Sequence, residues 1–196
     1  MARTSASVRV RETVIFAMLG TLMFVSKLVM ELLPNMHLLG TLTVVYTLVF
    51  RRKALIPIYV FVLLTGLYGG FAMWWVPYIY IWTVLWGITM LLPRNMPPSV
   101  AVIVYPLVAS LHGFLFGTLY APLQAWMFGL DFNGMIAWII SGLPFDAIHG
   151  VSNFALGFLV LPLTRILRRL AGRDYQSGDK GAEDNNGRED LQSSED

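Results

Sequence analysis

The chain has 196 residues, of which 56% are hydrophobic and only 13% charged, with a formal net charge of +2. A soluble domain carries about 25% charged residues, so this composition excludes an ordinary soluble domain. The absence of cysteine excludes disulfides, thiolate catalysis and Cys-ligated metals. The basic residues sit mostly at the ends of apolar runs, which argues against a nucleic-acid partner and for a lipid bilayer.

The N-terminal "MARTSASVRVRETVIFAMLG" looks like a signal peptide, with a basic stretch before an apolar run. The run outlasts the usual apolar core of such peptides and no small-x-small cleavage site follows, so it reads as a retained first helix. Residues 1–11 then form a cytoplasmic N-terminal segment, and 12–170 an all-α domain of six transmembrane helices. The predicted spans are 12–33, 37–50, 54–73, 77–92, 99–120 and 138–167. They are separated at Pro34, at "RRK" (51–53), at "GG" (69–70) with Pro77, at "PRNMPP" (93–98) and at "APLQAWMFGLDFNG" (121–134). The second span is short for a bilayer of ~30 Å. The last break is long enough to hold a short surface or re-entrant helix. Residues 171–196 are polar, acidic and poor in large apolar side chains, which predicts a disordered cytoplasmic tail that can be trimmed without loss.

Lys and Arg fix the expected orientation. Arg3, Arg9 and Arg11, then Arg51, Arg52 and Lys53, then Arg94, then Arg165, Arg168, Arg169 and Arg173 fall on one side, and the opposite loops carry none. By the positive-inside rule both termini are cytoplasmic. The other side carries the aromatic belt "MWWVPYIYIW" (73–82). No internal repeat is evident, which disfavours inverted-repeat transporter folds.

Against this frame, "MFVSKLVMELLPNMH" (23–37) places Lys27 and Glu31 in the outer half of the first helix, with His37 at or just past the outer surface. In "SGLPFDAIHGVSNFALG" (141–157), Asp146, His149 and Asn153 fall in the outer half of the sixth. At ~100° per residue, Gly142, Asp146, His149, Gly150, Asn153 and Gly157 share about one third of the helix circumference. Ionisable groups facing lipid cost several kcal/mol, so they are expected to face a cavity or each other. Their common depth is the geometry of a ligand site open to the outside. The bland readings stand beside this one. Lys27 pairs with Glu31 or Asp146 to hold helices together, His37 is an ordinary loop histidine, Asp146 with His149 is a packing pair, and His112 is a satisfied interhelical donor. Tyr78, Trp82 and Trp86 recur at i, i+4, either as an interfacial belt or as a stacking wall. Thr13, Ala17 and Thr21, with Gly20 nearby, form a small-residue strip that lets another helix approach.

No G-x-x-x-x-G-K-[ST] loop and no HExxH motif occurs, and the three histidines have no zinc-like spacing. Ser141 precedes Gly142 with His149 eight residues on, but nothing supplies a second element against that serine. We expect no enzyme, no catalytic residue and no metal site.

These residues resemble a known family. Six spans with both termini inside, a small-residue strip on the first helix and an outer-half polar site look like the substrate-binding S component of an energy-coupling factor (ECF) transporter. The more specific echoes are "MFVSKLVMELLPNMHLLG" (23–40), "IYVFVLLTGLYGG" (58–70), "WWVPYIYIWTVLWG" (74–87) and "PFDAIHGVSNFALGFLVLPL" (144–163). Together they resemble a clostridial-type subgroup of unassigned substrate, over roughly residues 10–170. The resemblance implies a multi-pass protein of the bacterial cytoplasmic membrane that captures a vitamin-like micronutrient from outside. It docks on a T subunit carrying two ABC ATPases, which use the ATP; this chain has no cofactor of its own. Family docking uses an Ala-xxx-Ala motif on the first helix, and the matching positions here read Ala17-xxx-Thr21 or Thr13-xxx-Ala17, a departure from Ala–Ala.

The substrate-binding set expected from all this is Lys27, Glu31, Asn35, His37, Trp75, Tyr78, Trp82, Asp146, His149 and Asn153, with Thr13, Ala17 and Thr21 for docking. Charges of both signs and a flat aromatic wall predict a polar heterocycle with ionisable groups. On a helical wheel Glu31 lies about 40° and Lys27 about 80° from the centre of the docking strip. Either the first helix is kinked or rotated between its halves, or one of the two assignments fails. Two other functions fit the same residues. One is a self-sufficient proton-coupled carrier using Lys27, Glu31, Asp146 and His149 as a relay. The other is a structural membrane subunit.

Overall fold

A computed structural model describes residues 2–32, 36–94 and 96–172, with backbone alone for 2–9. Asn35 and residues 173–196 lie outside the described residues, as do the side chains of Arg3 and Arg9. Every regular element described is helical: α1 (Ala2–Met30), α2 (Leu39–Phe50), a single 3₁₀ turn (Arg51–Ala54), α3 (Leu55–Gly69), α4 (Tyr78–Leu91), α5 (Pro98–Phe114), α6 (Phe116–Phe128), α7 (Phe132–Gly157) and α8 (160–172). Three stretches are long and apolar enough to cross a membrane: Val10–Met30, Pro98–Phe128 across the α5–α6 junction, and Phe132–Gly157.

The short second helix is short because it is central. α2 has 12 residues, ten of them buried, and packs against α1, α4, α5 and α7. Its apolar character runs all round, the pattern of a helix enclosed by others. Tyr46, Val44 and Val45 of α2 join Met23 of α1, Ile58 and Phe61 of α3, and Leu85 of α4 in one core. The Tyr46 hydroxyl donates to the Leu19 carbonyl at 3.1 Å, tying α2 to α1.

The basic residues meet at one end of the bundle. Lys53 pairs with Glu12 at 2.5 Å. Arg51 Nη2 donates to the Met90 carbonyl at 2.9 Å, and Arg168 Nη2 to the Leu48 carbonyl at 3.2 Å. Cations thus satisfy carbonyls left open in the last turns of α4 and α2. Arg51 takes a φ of 55°, unusual for a side-chain-bearing residue, and its carbonyl accepts from Trp86 Nε1 at 3.1 Å. Trp86 is therefore an anchor at the basic end, not part of a wall running up α4.

The boundaries around α6 and α7 differ from expectation. The stretch 121–128 is helical, as the end of α6, and the fifth run breaks earlier, at Leu115. Gly129, with φ 66°, ends α6, and Asp131 starts α7 by accepting from the Gly134 amide at 2.7 Å. α7 therefore begins at Phe132 rather than 138, and a turn at 158–159 separates it from α8.

The close contact of α5 with α7 rests on glycines. A Cβ on Gly113 would meet the His149 carbonyl oxygen at 2.8 Å and the Gly150 amide nitrogen at 2.9 Å; one on Gly157 would meet Pro106 Cα at 2.5 Å. This is the small-residue packing expected of membrane helices.

Candidate ligand-binding site

At the end of the bundle away from the basic cluster, α1, α2, α4, α5 and α7 enclose a cavity of about 340 Å³. Its walls carry Lys27, Glu31, His37, Tyr78, Trp82, His149 and Asn153 from the expected set. Leu39, Gly40, His112, Gly113 and Phe116 complete them.

Lys27 reaches this cavity because it shares the buried stripe of α1. It follows Phe16, Gly20 and Met23 at helical spacings, and all three are buried. Thr13, Ala17 and Thr21 lie round the helix from it and are exposed, and α1 runs unbroken between them. The helix is not kinked, so Lys27 stays about 80° round the wheel from the centre of that strip. Glu31 stands past Met30 in a turn, where the wheel no longer applies, and Lys27 is centred on the inward face. Lys27 Nζ contacts Glu31 Oε1 at 2.5 Å; the lysine side chain is 15% exposed and the glutamate 47%.

The opposite wall is aromatic. Trp82 stands 6.0 Å from Tyr78, 5.7 Å from His112 and 6.1 Å from Phe116, centroid to centroid. Phe116 continues to His149 at 5.3 Å, and His149 to His37 at 5.8 Å. Three buried ring nitrogens on these walls have no hydrogen-bond partner: His37 Nδ1, His149 Nδ1 and Trp82 Nε1. Buried polar atoms are nearly always partnered, and each one that is not costs about 1–3 kcal/mol. Burial, and next the Lys27 ammonium, holds the His37 imidazole below its usual range against a smaller pull from Glu31.

Other residues take structural positions. His112 Nε2 bonds the Ile81 carbonyl at 3.1 Å, so its ring lines the cavity while joining α5 to α4. Asn153 Nδ2 donates to the Ala109 carbonyl at 3.3 Å. Its amide fills the space that side chains at Gly40 and Gly113 would occupy. Trp75 is not on this cavity; its Nε1 donates to the Val62 carbonyl at 2.8 Å.

Asp146 also lies elsewhere. It is 4% exposed, and both carboxylate oxygens accept from the Gly117 amide, at 3.0 and 3.1 Å. That amide opens α6 just after the break at Leu115, so Asp146 caps α6 from a different helix. It faces a second cavity of about 400 Å³, lined also by Trp74, Tyr120, Gln124, Trp138 and Gly142. Asp146→Ala is expected to cost about 1–3 kcal/mol by leaving the start of α6 uncapped, and Asp146→Asn less, because one acceptor oxygen remains. Thermal unfolding of the purified variants in detergent checks the order.

The missed cavity residues Leu39, Gly40, Gly113 and Phe116 are apolar or lack a side chain, and nothing marks them in sequence. Among the described residues no group of three or more His, Cys, Asp or Glu is arranged to hold a metal. No protein-family model, curated protein or solved structure matches the chain.

Proposed function

We propose that this chain is the substrate-capturing subunit of an ECF-type importer of the bacterial cytoplasmic membrane, binding a vitamin-like polar heterocycle in the cavity between Lys27 and Trp82. The observation that carries the binding reading is the trio of unpartnered ring nitrogens in an aromatic-walled cavity beside a half-buried lysine. A flat ring with acceptors and donors at its edge satisfies those nitrogens while stacking on Tyr78, Trp82 or Phe116. An anionic group on it pairs with Lys27.

In this reading the chain crosses the bilayer six times, by α1, α2, α3, α4, α5 with α6, and α7 with α8, with both termini cytoplasmic. The meeting of Arg51, Lys53 and Arg168 at one end of the bundle, and of the ligand cavity with Trp74 and Tyr78 at the other, supports that orientation. α2 is too short to span alone at ~1.5 Å per residue, but ten of its twelve residues, from Leu39 to Leu48, are buried in protein rather than in lipid. The ECF assignment rests on the sequence resemblance. The exposed strip of Thr13, Ala17 and Thr21 supports it as the face for a T subunit with its two ATPases.

Ala17→Trp tests the docking face. The strip is exposed, so the variant is expected to keep its ligand and its thermal stability within about 0.5 kcal/mol. It should lose co-purification of any membrane partner from native membranes. A partner retained at the normal level would place docking elsewhere.

A further inference from the structure

The two cavities share a wall. Phe116 and His149 line both, with their rings 5.3 Å apart and inclined at 34°. We infer that the outer cavity, between α6 and α7, is a vestibule through which a flat aromatic ligand reaches the inner site, and that Phe116 and His149 are the gate between them. The inference rests on the inner cavity being the ligand site.

Four observations support it. The gate consists of side chains that turn by rotamer changes alone. His149 Nδ1 has no partner to hold its ring, and Phe116 is the first residue of α6, next to the helix break at Leu115. The vestibule presents flat faces: Tyr120 and Trp138 stack at 5.7 Å and 15°, and the Tyr120 hydroxyl is fixed on the Trp74 carbonyl at 2.6 Å. The vestibule wall has room at Gly142, where a Cβ would meet nothing within 4 Å outside its own stretch of helix. The rim at the end of α1 is charged instead, carrying the Lys27–Glu31 ion pair.

The chain has no cysteine, so Leu39→Cys gives one reporter thiol on the wall of the inner cavity and not of the vestibule. Its rate of reaction with a small charged methanethiosulfonate reagent, in the full-length protein in detergent, measures access. Gly142→Trp fills the vestibule and is expected to slow labelling roughly tenfold. Gln124→Trp, on the same vestibule wall, repeats the test should Gly142→Trp fail to fold. Gly87→Trp, on α4 and also in open space, is the control for a bulky substitution and should leave the rate within about twofold. Equal rates in the Gly142 and Gly87 variants would overturn the vestibule while leaving the inner site reachable. A parent thiol that never reacts would overturn both the vestibule and the ligand site.

Discussion

Lys27→Met is expected to weaken ligand binding by roughly tenfold to a hundredfold and to leave the fold nearly as stable as before. Among the described residues Lys27 has Glu31 as its one hydrogen-bond partner, and an ammonium carries three donors. Donors therefore remain for a ligand. The ion pair with a glutamate that is 47% exposed contributes about 0–1 kcal/mol, so its loss destabilises little. A charge-assisted hydrogen bond to a captured anionic group is stronger, about 1.5–3 kcal/mol. The molecule retained through purification, quantified by mass spectrometry beside thermal unfolding in detergent, separates the two effects. A variant that loses stability by several kcal/mol but still holds its ligand would make Lys27 a helix-holding residue.

Gly113→Val is expected to damage both the α5–α7 contact and the cavity beside it. Overpacking usually costs about 1–3 kcal/mol, and the cost stays near the top of that range when the neighbours cannot move. Here the new Cβ meets a carbonyl oxygen and an amide nitrogen of α7 at 2.8 and 2.9 Å, besides Asn153 Nδ2 at 2.8 Å. The helices must separate, and His149 and Asn153 leave the cavity with α7, so ligand retention falls with stability. Gly142→Ala and Gly87→Ala are the matched controls. Nothing lies within 4 Å of either new Cβ, and alanine favours a helix over glycine by about 1 kcal/mol. Unfolding midpoints of the three variants in one detergent check the order; a Gly113 variant as stable as the controls would mean that α5 and α7 do not approach so closely.

Much of the site was legible because charge in an apolar run must find protein or water. That rule singled out Lys27, Glu31, His37, Asp146 and His149, and the structure brings all but Asp146 to one cavity. Periodicity was less informative on α7. It grouped Gly142, Asp146, His149, Gly150, Asn153 and Gly157 on one face, but a face says nothing about which neighbour it meets at each level. Around the middle of α7 that face meets α6, so Asp146 caps Gly117. Further along it meets α5, so Gly150 and Gly157 serve close packing. Trp75 and Trp86 looked like wall residues because their indole N–H partners, the carbonyls of Val62 and Arg51, are remote in sequence. The break at Leu115 carries no proline or glycine at the position itself, and the amide it frees is answered by Asp146 from another helix. At Asp131 the expected start at 138 passed over a signal: an aspartate just before an apolar helical run caps the helix start.

The most direct test of the central claim is purification of the full chain from native membranes in mild detergent, with mass spectrometry of co-purifying chains and of extracted small molecules. The account predicts a T-type membrane subunit, two ABC ATPases and a flat, polar heterocycle in the same preparation. A stable chain that brings down no ATPase, and that alone drives proton-gradient-dependent uptake in liposomes, would contradict it. Lys27, Glu31, Asp146 and His149 would then form a proton path.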